Sequence, residues 1–232
     1  MPFDLSSLDL QPVWLSLKLA SLTTIILLLM VIPLAWFMTH SQRRWKILVS
    51  TIATLPLVLP PSVLGFYLLL MFGSNGPIGK LTEELGIGTL AFSFPGLVIA
   101  SLIYSFPFAL QPIQNAFDNI NLKTLEAAAT LRASPIDRFF SLVLPIAKPG
   151  ILTAAILSFA HTIGEFGVIL MIGGSIPGET KVLSVAIYDH VESLQYAQAH
   201  ILAGGMIIFS FVVLLTLYLI NAPRKTQQKI DC

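Results

Sequence analysis

Charge and cysteine are what this sequence has least of. Charged residues make up 11% of its 232 positions, where a soluble domain normally carries about a quarter. So little charge cannot clothe a water-facing globule. The only cysteine, Cys232, is the last residue, so no disulfide can form within the chain. It does not stand fourth from the end, where prenylation requires it. Soluble segments are scarce too. The stretches 73–93, 118–149 and 174–196 have room for one or two short helices each, and none for a core of its own. No internal repeat is evident, which argues against an inverted-repeat carrier. A formal net charge of +1 gives no case for nucleic-acid binding.

A nucleotide loop is also missing. The nearest candidate is Gly79-Lys80, but Ser74 stands where the first glycine is needed and Leu81 where a Ser or Thr would hold magnesium. No nucleophile–base pair or ligand cluster suggests catalysis, and one His with one Glu is too few for a metal. The expectation is a chain that binds no cofactor and is not an enzyme.

What is present is hydrocarbon. Apolar residues make up 55% of the chain, and five apolar runs, at about 16–38, 47–72, 94–117, 150–173 and 197–221, can each cross a bilayer. Only helices satisfy their own backbone in lipid, so the fold class is all-α integral membrane, one transmembrane domain spanning 1–232. Arg43, Arg44, Lys46, Lys123, Arg132, Arg138, Lys148, Arg224, Lys225 and Lys229 fall on one side, against Lys18, Lys80 and Lys181 on the other. The positive-inside rule puts the N-terminus outside and the C-terminus in the cytoplasm. Asp4 and Asp9 stand where a signal peptide is basic, so the first run is expected to stay as an anchor. Trp14, Trp36 and Trp45 lie near span ends, where aromatic belts form.

Proline punctuates two spans. Pro56, Pro60 and Pro61 precede Ser62 and Gly65 in the second, and Pro107 and Pro112 interrupt the third. Each removes a donor and kinks the helix. Kinks in lipid survive where protein or a wet cavity covers the freed carbonyls, so these residues either line a pathway or reflect the general abundance of proline in membrane helices. His161 and Glu165, four apart, share a helix face. They read as a gate or as a mutual hydrogen bond between helices, helped by Gly164 and Gly167, and the second reading is favoured because a bare carboxylate would repel an anion. Gly178, Glu179 and Thr180, with Asp189 and Glu192, make an acidic outer loop.

The segment 118–149 carries more information than a plain loop. Thr124 is expected to cap a helix from near Leu125, with Glu126 at its positive end and Ala127, Ala128 and Ala129 as a small-residue face. Ser134 is the next N-cap, with Pro135 in the first helical position and Asp137 in the first turn. Ile136, Phe139, Phe140 and Val143 then form an apolar stripe, with Pro145 ending it and Pro149-Gly150 re-entering the membrane. From these residues alone, an interfacial helix lying on lipid and a docking surface for a soluble partner are both open.

Glu126-Ala127-Ala128, Leu131 and Leu144-Pro145 resemble the EAA loop of binding-protein-dependent ABC importer permeases. Leu55-Pro56-Leu57-Val58-Leu59-Pro60-Pro61, Ser158-Phe159-Ala160 and Gly164-Glu165-Phe166-Gly167 resemble the molybdate, tungstate and sulfate branch, and Ile176-Pro177-Gly178-Glu179-Thr180 its molybdate members. The resemblance implies a type I importer permease fold in a bacterial inner membrane. It implies a second copy of the permease, a cytoplasmic ATPase dimer that holds ATP and magnesium, and an external molybdate-binding protein. It makes Glu126, Ala127, Ala128, Leu131, Arg132 and Ala133 the coupling residues. From the residues themselves, Pro56, Pro60, Pro61, Ser62, Gly65 and Glu165 are the pathway or gate candidates, and Gly178, Glu179 and Thr180 are either an ordinary solvated turn or the part of an outer gate that meets the binding protein. Arg132 departs from the glycine usual in the family, and His161 from a frequent arginine. The spans offer an oxyanion only Lys18 and His161, so selection would fall to the external protein. The rival substrate is sulfate or thiosulfate; the rival class is an ATP-independent channel or carrier.

Overall fold

Small side chains recur among the large ones on the buried faces of these helices. Along the helix Phe94–Asp118, Ser101, Ser105, Ala109, Ile113 and Phe117 recur every four residues and are all buried; along Leu144–Gly164, Ala154, Ser158 and Thr162 do the same. In lipid the hydrophobic effect does not sort helix faces, so close approach through Gly, Ala, Ser and Thr does. Gly150 is the clearest case: a Cβ there would lie 2.4 Å from Ala116 Cβ.

The computed structural model describes residues 9–39, 43–130 and 134–221, all helices and connections with no strand among them. In chain order these are α1 (Gln11–Thr39), α2 (Arg43–Val58), α3 (Pro61–Phe72), α4 (Pro77–Glu84), α5 (Phe94–Asp118), α6 (Leu122–Thr130), α7 (Pro135–Arg138), a π-helical turn (Phe139–Val143), α8 (Leu144–Gly164), α9 (Gly167–Gly173), α10 (Leu183–Glu192) and α11 (Tyr196–Asn221). Five stretches are long and apolar enough to cross a membrane. α1, α5 and α8 form the central bundle. α3 packs on α9, and α11 leans on α10 and α8 with only Ala199 and Leu202 buried.

The bundle has an inner and an outer core. The inner one joins Leu27, Val31 and Ala35 of α1 to Ile113 and Phe117 of α5 and Ala147 of α8. The outer one joins Leu19, Leu97 and Ile169 to Val182 and Val185 beside α10. At the inner end Lys46 meets Asp118 at 2.6 Å, tying α2 to α5, though a pair this exposed contributes only about 0–1 kcal/mol. At the outer end Lys18 lies 4.7 Å from the centre of the Phe94 ring.

The spans differ from expectation in four ways. The second breaks at Leu59–Pro60, as its prolines predict, because Pro61 disfavours the helical region for its predecessor and Pro60 adopts ψ 137°, but the stretch long and apolar enough to cross is Pro61–Glu84 rather than 47–72. Pro107 and Pro112 do not interrupt the third: both sit inside an unbroken α5, and Pro56 likewise sits inside α2. An isolated proline costs a helix one hydrogen bond, whereas the adjacent pair removes two and constrains the residue between them. The fourth span neither stops at Pro145 nor restarts at Pro149. One continuous 30-residue stretch, Pro135–Gly164, runs into the membrane. The π turn permits this, since Leu144 donates to the Phe139 carbonyl, five residues back, and loosens the helix where the Pro145 ring would clash. Finally, Trp36 does more than stand at a span end: it packs edge-on to Phe117 at 5.6 Å and tilted on Phe139 at 5.4 Å.

Candidate functional site

Three regions carry the residues singled out in the sequence. At the inner end, α6 begins three residues before the expected start. Asn121, rather than Thr124, caps it, its Oδ1 accepting from Lys123 N–H at 3.0 Å. Glu126 therefore sits mid-helix, not at the positive end, and is exposed; Ala128 is half-buried. Ala127 belongs to α6. Leu131, Arg132 and Ala133 lie outside the described residues. Ser134 caps α7 as expected, accepting from Asp137 N–H at 3.1 Å.

The stripe expected over Ile136–Val143 splits in two. Val143 is fully buried and Phe139 joins the inner core, while Ile136 and Phe140 are 72% and 63% exposed. Across the π turn the α-helical period on which the stripe is counted no longer holds, and Phe140 faces away from the core that Phe139 joins. The result is an exposed platform, with Glu126 on one helix and Ile136 and Phe140 on the next. Leu125 and Phe139 pin it to the inner core, and α7 runs without interruption into α8. A force applied there is delivered to a membrane helix rather than absorbed in a loop.

The second region lies where two spans break. α3 starts at Pro61 and α9 at Gly167, and these starts touch: a Cβ on Gly167 would lie 2.8 Å from Pro61 Cβ. One on Gly65 would lie 2.8 Å from Met171 Cβ. Pro60, Pro61 and Ser62 are exposed and Gly65 is buried under α9. Pro56 stands apart, buried in an apolar crevice with Leu27, Ala53 and Phe106. The break at Glu165–Phe166 has no proline to mark it in the sequence; Gly164 and Gly167 on either side are its only signal.

That break also separates His161 from Glu165, so they do not form the mutual hydrogen bond favoured from the sequence. Glu165 leaves the helix with ψ 132°, and its carboxylate accepts Val168 N–H at 2.9 Å, capping α9. Its carbonyl accepts Ser184 Oγ at 2.5 Å. His161 turns to α5, with Nδ1 3.0 Å from Ser105 Oγ and the ring stacked on Phe108 at 3.9 Å.

At the outer end, Thr180 is buried and cannot meet a partner. Its hydroxyl donates to Gly173 O at 2.7 Å and accepts Ile176 N–H at 3.0 Å, closing the loop from within. Gly178, in a left-handed turn at φ +80°, and Glu179 are exposed. Asp189 anchors the same loop, bonded to Lys181 at 2.8 Å and Ser175 at 2.5 Å. Burial pushes the Asp189 carboxyl up, but bonds from Lys181 and Ser175 and the Lys181 charge outweigh it and hold the group below its usual value. Its contribution is therefore present above the unfolded value of about 3.9 and is lost as pH falls through the lower folded value. The melting-temperature difference between wild type and Asp189→Asn is expected to hold at pH 6 and to close well below pH 4. Among the described residues no group of three or more His, Cys, Asp or Glu could hold a metal.

Residues 18–227 match the family model of binding-protein-dependent transport system inner membrane components. The chain is 58% identical, over 92% of its own length and 95% of the relative's, to the molybdenum transport system permease protein ModB of Azotobacter vinelandii. It is 32% identical, over 90% of its length and 77% of the relative's, to a probable sulfate transport system permease protein cysT of Helicosporidium sp. subsp. Simulium jonesii. Among solved structures, a chain of a bacterial alginate ABC transporter in complex with a pentasaccharide-bound periplasmic protein superposes with a TM-score of 0.71 at 19% identity. That match covers 94% of this chain and 79% of the other.

Proposed function

We propose, since this chain belongs to the family of binding-protein-dependent transport system inner membrane components, that it is the multi-pass permease subunit of an ABC importer whose cargo is molybdate, with tungstate as a second cargo. The observation that carries the cargo is the 58% identity to a molybdenum permease over 92% of the chain, against 32% to a sulfate permease. The finer parts of the reading are these. Two copies of the chain enclose the path in a bacterial inner membrane. A separate cytoplasmic ATPase dimer, holding ATP and magnesium, seats on the platform of Glu126, Ile136 and Phe140, with Ala127, Ala128, Leu131, Arg132 and Ala133 as the further coupling residues. A molybdate-binding protein docks on the outer face near Gly178 and Glu179.

The geometry supports a lever mechanism. Closure of the ATPase pushes on α6 and α7, and the push passes along the continuous α7–α8 rod to the break at Glu165. There α9 swings with α3, because Gly65 and Gly167 lock the two together. Pro60, Pro61, Ser62 and Glu165 lie at this joint and line the gate; Pro56 supports it from within the apolar crevice. The described residues of the joint, Pro60, Pro61, Ser62, Gly65, Glu165 and Gly167, include no cationic side chain, and on this reading the path passes the oxyanion without holding it, with selection resting on the binding protein.

The test is ATP-driven uptake into proteoliposomes containing this chain, its ATPase and the cognate binding protein. Saturable molybdate uptake that resists excess sulfate is the expected result. Competition by sulfate would move the cargo to sulfate, and flux without ATP would overturn the importer reading.

A further inference from the structure

A layer of hydroxyls separates the two cores of the central bundle, and the lever described above makes no use of it. Between Leu19 and Leu27 on α1 lie Thr23 and Thr24; between Leu97 and Ala109 on α5 lie Ser101 and Ser105; on α8, Ser158 and Thr162 follow Ala154. All six are buried. The level is common to the three helices. α1 and α5 run in the same direction, and Leu19 shares a cluster with Leu97, so Thr23 and Ser101 each lie one turn below that pair. α8 runs the opposite way, and Thr162 meets Ser105 at 3.0 Å.

Only part of the layer is bonded. A chain that satisfies every member runs from His161 Nδ1–H to Ser105, from Ser105 to Thr162, and from Thr162 to the Ser158 carbonyl at 2.9 Å. The hydroxyls of Thr23, Thr24, Ser101 and Ser158 meet no hydrogen-bond partner within the chain, although they are 0%, 7%, 2% and 0% exposed. The other such atom among the described residues, Arg138 Nε, is remote from this layer, at the inner end. A buried hydroxyl left unbonded in a membrane is costly, and alanine or valine would fill the same space at no such cost.

The spacing supplies a reason for them. Ser101 and Ser105 are four apart on α5, Ser158 and Thr162 four apart on α8, and one of the four possible pairings is made. Sliding α8 outward by one helical turn, about 5.4 Å, brings Ser158 opposite Ser105 and Thr162 opposite Ser101 and Thr23. One interhelical hydroxyl pair becomes two. We propose that α5 and α8 have two registers one turn apart, and that Ser101 and Ser158 are positioning residues that hold the second. Resting on the importer reading, this makes the slide the step by which the α7–α8 rod carries the ATPase stroke across the bundle. One-turn ratchets of this kind are known switching elements.

Disulfide trapping tests it in the assembled transporter, with Cys232 replaced by Ser and uptake by that background as the control on the importer reading. The pair Ser105→Cys with Thr162→Cys should cross-link in one state, nucleotide-free or ATP-trapped. The pair Ser101→Cys with Thr162→Cys should cross-link only in the other. Ser101→Ala, which removes a hydroxyl unbonded in the register described here, should leave the melting temperature unchanged or raised. It should lower uptake turnover about fivefold to tenfold, with KM for the loaded binding protein unchanged. If the background transports but Ser101–Thr162 never cross-links in either state, or Ser101→Ala transports at the wild-type rate, the second register does not exist. A background that does not transport overturns the importer reading instead.

Discussion

Glu126→Arg is expected to abolish coupled uptake while leaving the chain folded and inserted. Glu126 is exposed on α6 and belongs to no apolar cluster, so its replacement touches nothing in the cores that hold the bundle together. Exposed helix positions usually tolerate substitution within about 0.5 kcal/mol, and arginine keeps the helix propensity. At a contact with a partner, reversing the charge costs about 2–5 kcal/mol, which is a loss of about 30-fold to several thousand-fold in association. Molybdate uptake should fall to background, and the ATPase activity of the reconstituted complex should no longer respond to the loaded binding protein. Membrane yield and melting temperature should match wild type. Uptake at the normal rate would remove Glu126 from the coupling surface.

Gly65→Val should be nearly as damaging by a different route. A Cβ at Gly65 comes within 2.8 Å of Met171 Cβ and 3.3 Å of Val168 Cα, atoms next to or in the backbone of α9 that cannot turn aside. The helices must separate, at a cost of about 1–3 kcal/mol for an overpacked interface. Separation also opens the joint where Pro61 meets Gly167, so uptake should fall at least about tenfold and the melting temperature should drop. Gly204→Val is the control. A Cβ there has nothing within 4 Å, and both readouts should stay near wild type. Equal behaviour of the two variants would show that α3 and α9 are not a packed pair in the working transporter.

Glu165 illustrates how far a sequence pattern carries and where it stops. Spacing alone puts His161 and Glu165 on one face of one helix, and a hydrogen bond between them follows if the helix continues. It ends at Gly164, so the two side chains find partners on different elements, Ser105 on α5 and Val168 on α9. Thr180 misleads for the same reason. In the sequence it belongs to an acidic outer turn, yet its hydroxyl closes that turn from inside and leaves Glu179 to face outward. The Ile136–Val143 stripe was legible as apolar, but not as divided, because a π turn changes the period on which the stripe was counted.

Five membrane-crossing runs, the all-helical class and the exposed inner segment with its Ser134 cap were determined by the sequence. So was the expected orientation, with the termini on opposite sides. Each rests on sums over neighbouring residues: hydropathy over about 20 positions, basic residues per loop, a capping side chain three residues from its donor. The two breaks and their meeting at Pro61 and Gly167, the rigid passage from α7 to α8 and the half-bonded hydroxyl layer were decided only by the tertiary structure. They depend on which atoms of distant segments approach within 3–4 Å. In a chain that is apolar on nearly every face, hydrophobic patterning cannot say which faces those are; the fit of small side chains and the pairing of buried hydroxyls do.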